Sequence, residues 1–476
     1  MSFSPQESPN VIGLDTSTGS WITSEEPISN SFQKIPQLDG NLVLDPLSLK
    51  KASQDQGNYI TRIPSVILQP SSHEDIVKML RFCNKHHIRV APQGARHTTY
   101  GQATVDRGLA IDMTFLNTIS IGNETAWVGA GVLWRDFVRI GESHGVQPAS
   151  STPDYLGLTI AGTVSVGGFT PRSYIKGNIA DNVRSMKVVT GKGDLVQCSR
   201  DENQTLFRAM QGTLGQFGII VELEIEIIPA PKMIRTYTLG YPNLDVFMRD
   251  LNTLADRAEA GGLFGMFQPN DTGLVPLLMV DVEYDSVVPD DNHILRGLEV
   301  TTPVDATNRT YLERAEFFDK MMEKMEVNGW GKAIKPWYDM IVAAEDVPKH
   351  FQETIGTLKP SDISPTTFIL LFPAKVLDDR SPYLRIPEKV VPRDRVCLID
   401  LLDDNTGNTH PEYSKKKLTR NNEWANLAEK LGGVSYPIGT RTMDWKKHYG
   451  STWDSLNERK KQFDPKHILI GAHIFS

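Results

Sequence analysis

The clearest hydrophobic pattern in the chain is an alternation over residues 221–228, where Val221, Leu223, Ile225 and Ile227 are interleaved with Glu222, Glu224 and Glu226 until Pro229 closes the run. A period of two predicts a strand with one buried face. A helical period predicts a helix at Ile76, Val77, Leu80 and Cys83, behind a Ser72 and Asp75 that can form a capping box. A second amphipathic segment covers 133–140, and 206–210 also reads as helical. Short apolar runs at 42–45, 66–68, 109–113, 126–131 and 186–190 predict strands. The last of these leads into Gly191-Lys192-Gly193-Asp194, a hairpin signal, and Pro46-Leu47-Ser48 predicts a turn. Residues 1 to about 35, rich in Ser, Pro, Thr and Asn with little periodicity, predict a mobile arm. After about residue 231 the text changes to longer helical and strand patterns with scattered aromatics. The mixture is an α+β chain, and 476 residues suit two interlocked domains better than one large unit.

Charge narrows the partners. With 50 Lys and Arg against 58 Asp and Glu the net charge is −8, which argues against a nucleic-acid or anionic-membrane partner. No apolar segment approaches the roughly 20 residues a membrane helix needs, and the N-terminus lacks the charged and apolar regions of a signal peptide, so a cytoplasmic location is expected. The tripeptide Asn123-Glu124-Thr125 has the glycosylation pattern without that context. Cys83, Cys198 and Cys397 are odd in number and far apart, which predicts buried free thiols and no metal site.

Two stretches carry candidate chemistry. In 88–102 an apolar run ends in a turn holding Gly94, His97 and Gly101. A row of backbone N–H groups between glycines suits an anion such as a diphosphate, and a neutral imidazole beside it is a nucleophile. The same residues also describe an ordinary turn with a polar tip. The second stretch, 150–168, is dense in glycine and hydroxyl residues, with Thr159, Thr163 and Ser165 as extra donors. It reads equally as a turn system of a β protein.

The first stretch resembles the R-G-x-G-H-S-x-x-G-Q-A segment of cytokinin dehydrogenases, flavoenzymes of the vanillyl-alcohol oxidase superfamily. Gly94, His97, Gly101, Gln102 and Ala103 match, Thr98 stands for serine, and Ala95 and Arg96 depart, Arg96 replacing a glycine. The second is similar to the family block T-D-Y-L-x-L-T-x-G-G-T-L-S-x-x-G at Asp154, Tyr155, Leu156, Leu158, Thr159, Gly162, Thr163, Ser165 and Gly168, with Ser151-Thr152-Pro153 one residue longer than usual. A third match, at 212–220, resembles G-G-L-G-Q-F-G-V-I. Further family-like text occurs at Phe317-Phe318-Asp319-Lys320, Lys335-Pro336-Trp337-Tyr338, Leu371-Phe372-Pro373, Tyr436-Pro437 and toward the C-terminus.

The resemblance implies a two-part PCMH-type FAD-binding domain, residues 1–230 and 435–476, with an inserted α+β substrate (cap) domain at 231–434. It implies FAD contacts at Gly94, Ala95, Arg96, His97, Thr98, Gln102, Thr159, Gly162, Thr163, Ser165, Ile219, Ile220 and Tyr436, with a covalent bond through His97. Asp154 would be the catalytic acid/base, taking or orienting the proton of an amine N–H while a C–H hydride passes to flavin N5, the imine then being hydrolysed. Trp337 would meet the substrate. Phe264 stands where the family often has the glutamate of a V-E-G triplet, which removes a hydrogen bond to a purine ring. His473 stands where a glutamine would meet cofactor or substrate, or is a surface residue at a flexible end. Other readings are a superfamily oxidase or dehydrogenase acting on an alcohol, a sugar or a biosynthetic intermediate, and a flavin-binding protein without oxidase chemistry. The electron acceptor, quinone or oxygen, stays open.

Overall fold

A computed structural model describes residues 10–270, 273–300, 303–364, 366–407 and 410–475. The arm expected over residues 1–35 falls outside the described residues at 1–9, and from residue 10 onward it is a folded element. Strands Val11–Asp15, Ser20–Thr23 and Phe32–Lys34 form a three-stranded antiparallel sheet. Val11, Leu14, Trp21 and Ile22 are buried, the register shifting between Val11 and Gly13; the Trp21 ring lies 6.0 Å from Phe82, and its Nε1 donates to Ser65 Oγ at 3.1 Å. The expected turn at Pro46 is instead the first turn of helix Pro46–Ala52. Proline suits that position, and the Asp45 carboxylate accepts from Ser48 N at 2.9 Å as its cap.

A four-stranded sheet follows in the order Asn41–Val43, Val66–Gln69, Leu109–Asp112, Val90–Gln93, the last three parallel. Helix His73–His86 crosses between Val66–Gln69 and Val90–Gln93, and Ile76, Val77, Leu80 and Cys83 are all buried beneath it. Both halves of the Ser72 and Asp75 capping box are formed. Asp75 also accepts from the backbone N–H groups of Asp39 and Gly40, at 2.7 and 2.9 Å, so the helix start anchors the preceding loop. Ser72→Ala is expected to cost about 1 kcal/mol, read as a lower denaturant midpoint with an unchanged slope.

The second sheet is centred on Gly218–Pro229, flanked by Val183–Thr190 on one side and Thr125–Gly129 on the other, all antiparallel. Val221, Leu223, Ile225 and Ile227 face the core, as their period of two requires. The cap is built on an eight-stranded antiparallel sheet in the order Asp305–Thr310, Met233–Gly240, Gly273–Tyr284, Gly262–Asn270, Phe368–Lys375, Arg395–Leu402, Tyr338–Ala343, Val434–Ser435. Strand alternation splits its side chains. Leu263, Leu371, Ile399 and Met340 pack under helices such as Leu244–Arg257. Phe264, Leu370, Phe372, Leu398 and Ile341 form the opposite face, joined by Phe169 of the first domain and Tyr436.

The C-terminal segment returns to the first domain. Val90 N donates to Ile468 O at 2.8 Å, and Leu469 bridges Val90 in parallel. Buried Lys460 donates to Gln216 O at 2.8 Å and Leu469 O at 2.7 Å, and pairs with Asp464 at 2.8 Å. Asp464 in turn accepts from Ile468 N and Leu469 N, so every charge in this clasp is satisfied. The three cysteines are free and buried, and burial pushes the Cys198 and Cys397 thiols up to about 12. Among the described residues no helix is long and apolar enough to cross a membrane.

Candidate active site

The site begins where strand Val90–Gln93 ends at its carboxyl edge and the chain turns through Gly94. A Cβ at Gly94 would lie 2.2 Å from Thr159 Oγ1, so the absence of a side chain lets the two glycine-rich stretches touch. Asp55, which sequence reasoning missed, organises the turn. It accepts from Thr98 Oγ1 at 2.8 Å and Gly101 N at 2.6 Å, while burial pushes its carboxyl up to about 6. Gln102 donates to the carbonyls of Pro437 and Gly439, and Thr99 Oγ1 to that of Ile438, which ties the turn to the C-terminal return. Arg96 has φ 53°, a left-handed conformation that explains a glycine at this place in the family segment and that arginine adopts at some strain.

His97 projects from this turn into a long cavity between the first domain and the cap. Its ring lies 5.0 Å from that of Tyr155 and 5.3 Å from that of Trp337. Nε2 is buried with no hydrogen-bond partner among the described residues. Burial, and then the charge of Lys335, hold the imidazole pKa down at about 3, so it is neutral at physiological pH with a lone pair to offer. Lys335 is itself buried, donates to the Trp330 and Ala333 carbonyls, and is pushed down to about 8.

Asp154 lines the same cavity. Its Oδ2 is buried without a hydrogen-bond partner among the described residues. Burial pushes its carboxyl up to about 7, opposed by Arg314 and reinforced by Asp281. Arg314 cannot neutralise it fully, because it is already held by Asp281 through Nη2 at 2.7 Å and Nε at 2.9 Å. The extra residue before Asp154 is absorbed by Ser151, at φ 61°.

All the residues expected at the site line this cavity except Phe264 and His473. Phe264 is fully buried, stacked 5.6 Å from Phe372 and edge-on 6.1 Å from Phe318, and does not line the cavity; its role as a substrate contact is corrected to packing beneath the wall. His473 sits in the turn Gly471–His473, where the main chain of Thr104 holds its ring, and only the neighbouring Gly471 reaches the cavity. The expected donors at Thr163 and Ser165 also need correction. They lie in helix Ile160–Val166, where their hydroxyl protons are taken up by the carbonyls of Ile160 and Ala161 at 2.7 and 2.8 Å, and Thr163 Oγ1 also accepts from Trp134 Nε1 at 3.2 Å. Thr98 likewise donates to Asp55. The Tyr436 hydroxyl accepts from Gly168 N at 3.0 Å, which joins the C-terminal return to the second glycine-rich stretch.

His97 Nε2 on a neutral ring and Oδ2 of Asp154, both without a partner among the described residues, and side-chain-free backbone at Gly94 and Gly162 on the cavity wall fit a buried flavin dinucleotide. Comparison with known proteins agrees. Residues 64–199 match the family model of an FAD binding domain, and 291–475 the model described as cytokinin dehydrogenase 1, FAD and cytokinin binding. An uncharacterized oxidoreductase of the fasciation locus of Rhodococcoides fascians is 30% identical over 91% of this chain and 98% of its own length. Cytokinin dehydrogenase 9 of Oryza sativa is 30% identical over 95% and 93%. Among solved structures, xylooligosaccharide oxidase from Myceliophthora thermophila superposes with a TM-score of 0.69 at 17% identity, covering 91% of this chain and 96% of that one, a likeness of fold. The chain belongs to the cytokinin dehydrogenase-like family of FAD-dependent oxidoreductases.

Proposed function

We propose that the protein oxidises the C–N bond of a secondary amine, as its relatives' name suggests, with Asp154 handling the amine proton. The observation that carries this reading is the unpartnered Oδ2 of Asp154 in the cavity that also receives His97. Residues 94–98, Gln102, Thr159, Gly162, Thr163, Ser165, Ile219, Ile220 and Tyr436 would hold FAD, with His97 as its point of attachment, and the bound cofactor would supply the two-electron acceptor for a hydride. Asp154 accepts a hydrogen bond from the substrate N–H, which fixes the adjacent C–H, and takes that proton as the C–H hydride leaves. The product is an imine, and water hydrolyses it to an amine and an aldehyde. Residues 1–230 and 435–476 bind the cofactor, and 231–434 enclose the substrate. The side of the cavity contributed by 231–434 is mainly hydrocarbon, with Phe318, Met322, Phe368, Leu370 and Leu402, and suits an alkyl or aromatic group better than a sugar.

The sign of the pH dependence follows from burial. Because burial disfavours the carboxylate, Asp154 is protonated below about 7 and cannot take the amine proton there. The rate of anaerobic flavin reduction is therefore expected to rise as pH passes through about 7, and this inflection should vanish in Asp154→Asn. A panel of secondary amines, including N6-isopentenyladenine, set against alcohols and sugars with flavin absorbance as readout tests the reaction class. Bleaching by amines supports the reading, and bleaching by alcohols or sugars alone contradicts it.

A further inference from the structure

Asp400 is an acid inside the apolar run that follows Arg395 in strand Arg395–Leu402, and it lines the cavity together with Leu398 and Leu402. Sheet register places Met266, Leu370, Asp400 and Asp339 in one cross-strand row. Side chains in such a row share a face. Asp400 is 7% exposed and Asp339 4% exposed. Both oxygens of Asp339 and Oδ1 of Asp400 are buried with no hydrogen-bond partner among the described residues other than each other's carboxyl. Burial and then mutual repulsion push Asp339 well above the carboxylate range, and burial raises Asp400 to about 7. No cation acts on either, and the nearby Tyr436 hydroxyl is also disfavoured as an anion. Two adjacent carboxyls in a hydrocarbon wall cannot both ionise, so they share a proton. That proton lies in the hydrogen bond between the two carboxyls, so what the pair offers the cavity is one accepting oxygen, on Asp400.

A buried accepting oxygen in a hydrocarbon wall selects among ligands. A nitrogen heterocycle satisfies it with a ring or exocyclic N–H, and a hydrocarbon does not. We propose that Asp400, positioned by Asp339, hydrogen-bonds the nitrogen edge of a heteroaromatic substrate and is the specificity-determining residue of the cap. This deepens the amine-oxidation reading and rests on its placement of the substrate under the cap. It also supplies, from the second strand across the sheet, an acid in place of the one absent at Phe264.

The test uses FAD-loaded protein and adenine, which has no oxidisable alkyl group, with benzyl alcohol as the comparison ligand. Binding is read by quenching of tryptophan fluorescence, since Trp330 and Trp337 line the wall, and flavin content is checked by absorbance. Wild type should bind adenine more tightly than benzyl alcohol. Asp400→Leu should weaken adenine roughly 10- to 100-fold, the usual result of leaving a ligand's polar edge unpaired, without weakening benzyl alcohol. Asp400→Asn, which keeps the shape and loses the shared proton, should weaken adenine to a smaller extent. Adenine affinity within twofold of wild type in both variants overturns the proposal, as does a loss of FAD with the adenine preference intact. Because no oxidation is involved, selective loss of adenine binding upholds the proposal even if no amine is turned over, and amine turnover with unchanged adenine binding removes this proposal alone.

Discussion

Asp154→Asn is expected to slow anaerobic flavin reduction by about 10²- to 10⁴-fold, the usual contribution of a positioned acid/base, while the protein still folds and still carries FAD. The carboxyl faces the cavity with an oxygen that nothing else satisfies, and it is held between ionised and protonated forms near neutrality. Asparagine keeps the shape and can still accept a hydrogen bond from an amine, so orientation is partly preserved while the proton has nowhere to go. If Asp154 were only a structural cap, the effect would reverse, with folding or FAD content lost and the rate per bound flavin unchanged. Rapid mixing with substrate, normalised to flavin content, separates the two. A near-wild-type rate would end the assignment.

His97→Ala is expected to release the flavin completely on acid denaturation, where the wild type keeps its yellow colour with the polypeptide. The argument is geometric and electrostatic. Nε2 is the one ring nitrogen left without a partner, it is buried at the cavity, and burial beside Lys335 keeps it neutral. Such an imidazole is a standing nucleophile. The left-handed backbone at Arg96 places the ring although glycine is absent there. Wild-type protein that loses all its flavin on denaturation contradicts the covalent bond and leaves the non-covalent site standing. Lys335→Met should then be compared with wild type, since Lys335 acts on the ring through charge.

Much of this architecture is written in local patterns. The alternation from Val221 to Ile227 and the Ser72 and Asp75 capping box specify their elements without tertiary help, because period and cap are local properties. The strands over 10–34 escape such reading, since each is only three to five residues long and is fixed by Trp21 docking on Phe82. The glycine-rich turn at 94–98 and Asp154 were legible through their resemblance to a family, whereas Phe264 was misplaced: strand position alone does not tell whether a side chain reaches a cavity or lies behind Phe318 and Phe372. Thr163 and Ser165 were legible as polar, but the helix that takes up their protons was not. Asp400 carried a readable signal, an acid inside V-C-L-I-D-L-L, whose meaning depends on Asp339 arriving beside it from another strand.

The central claim is the oxidation of a C–N bond, and product analysis of a single anaerobic turnover tests it most directly. FAD-loaded protein mixed with N6-isopentenyladenine should bleach and yield adenine and the corresponding aldehyde in equal amounts, one of each per flavin reduced. An unchanged purine, in protein whose flavin is bleached by an alcohol or a sugar, would contradict it.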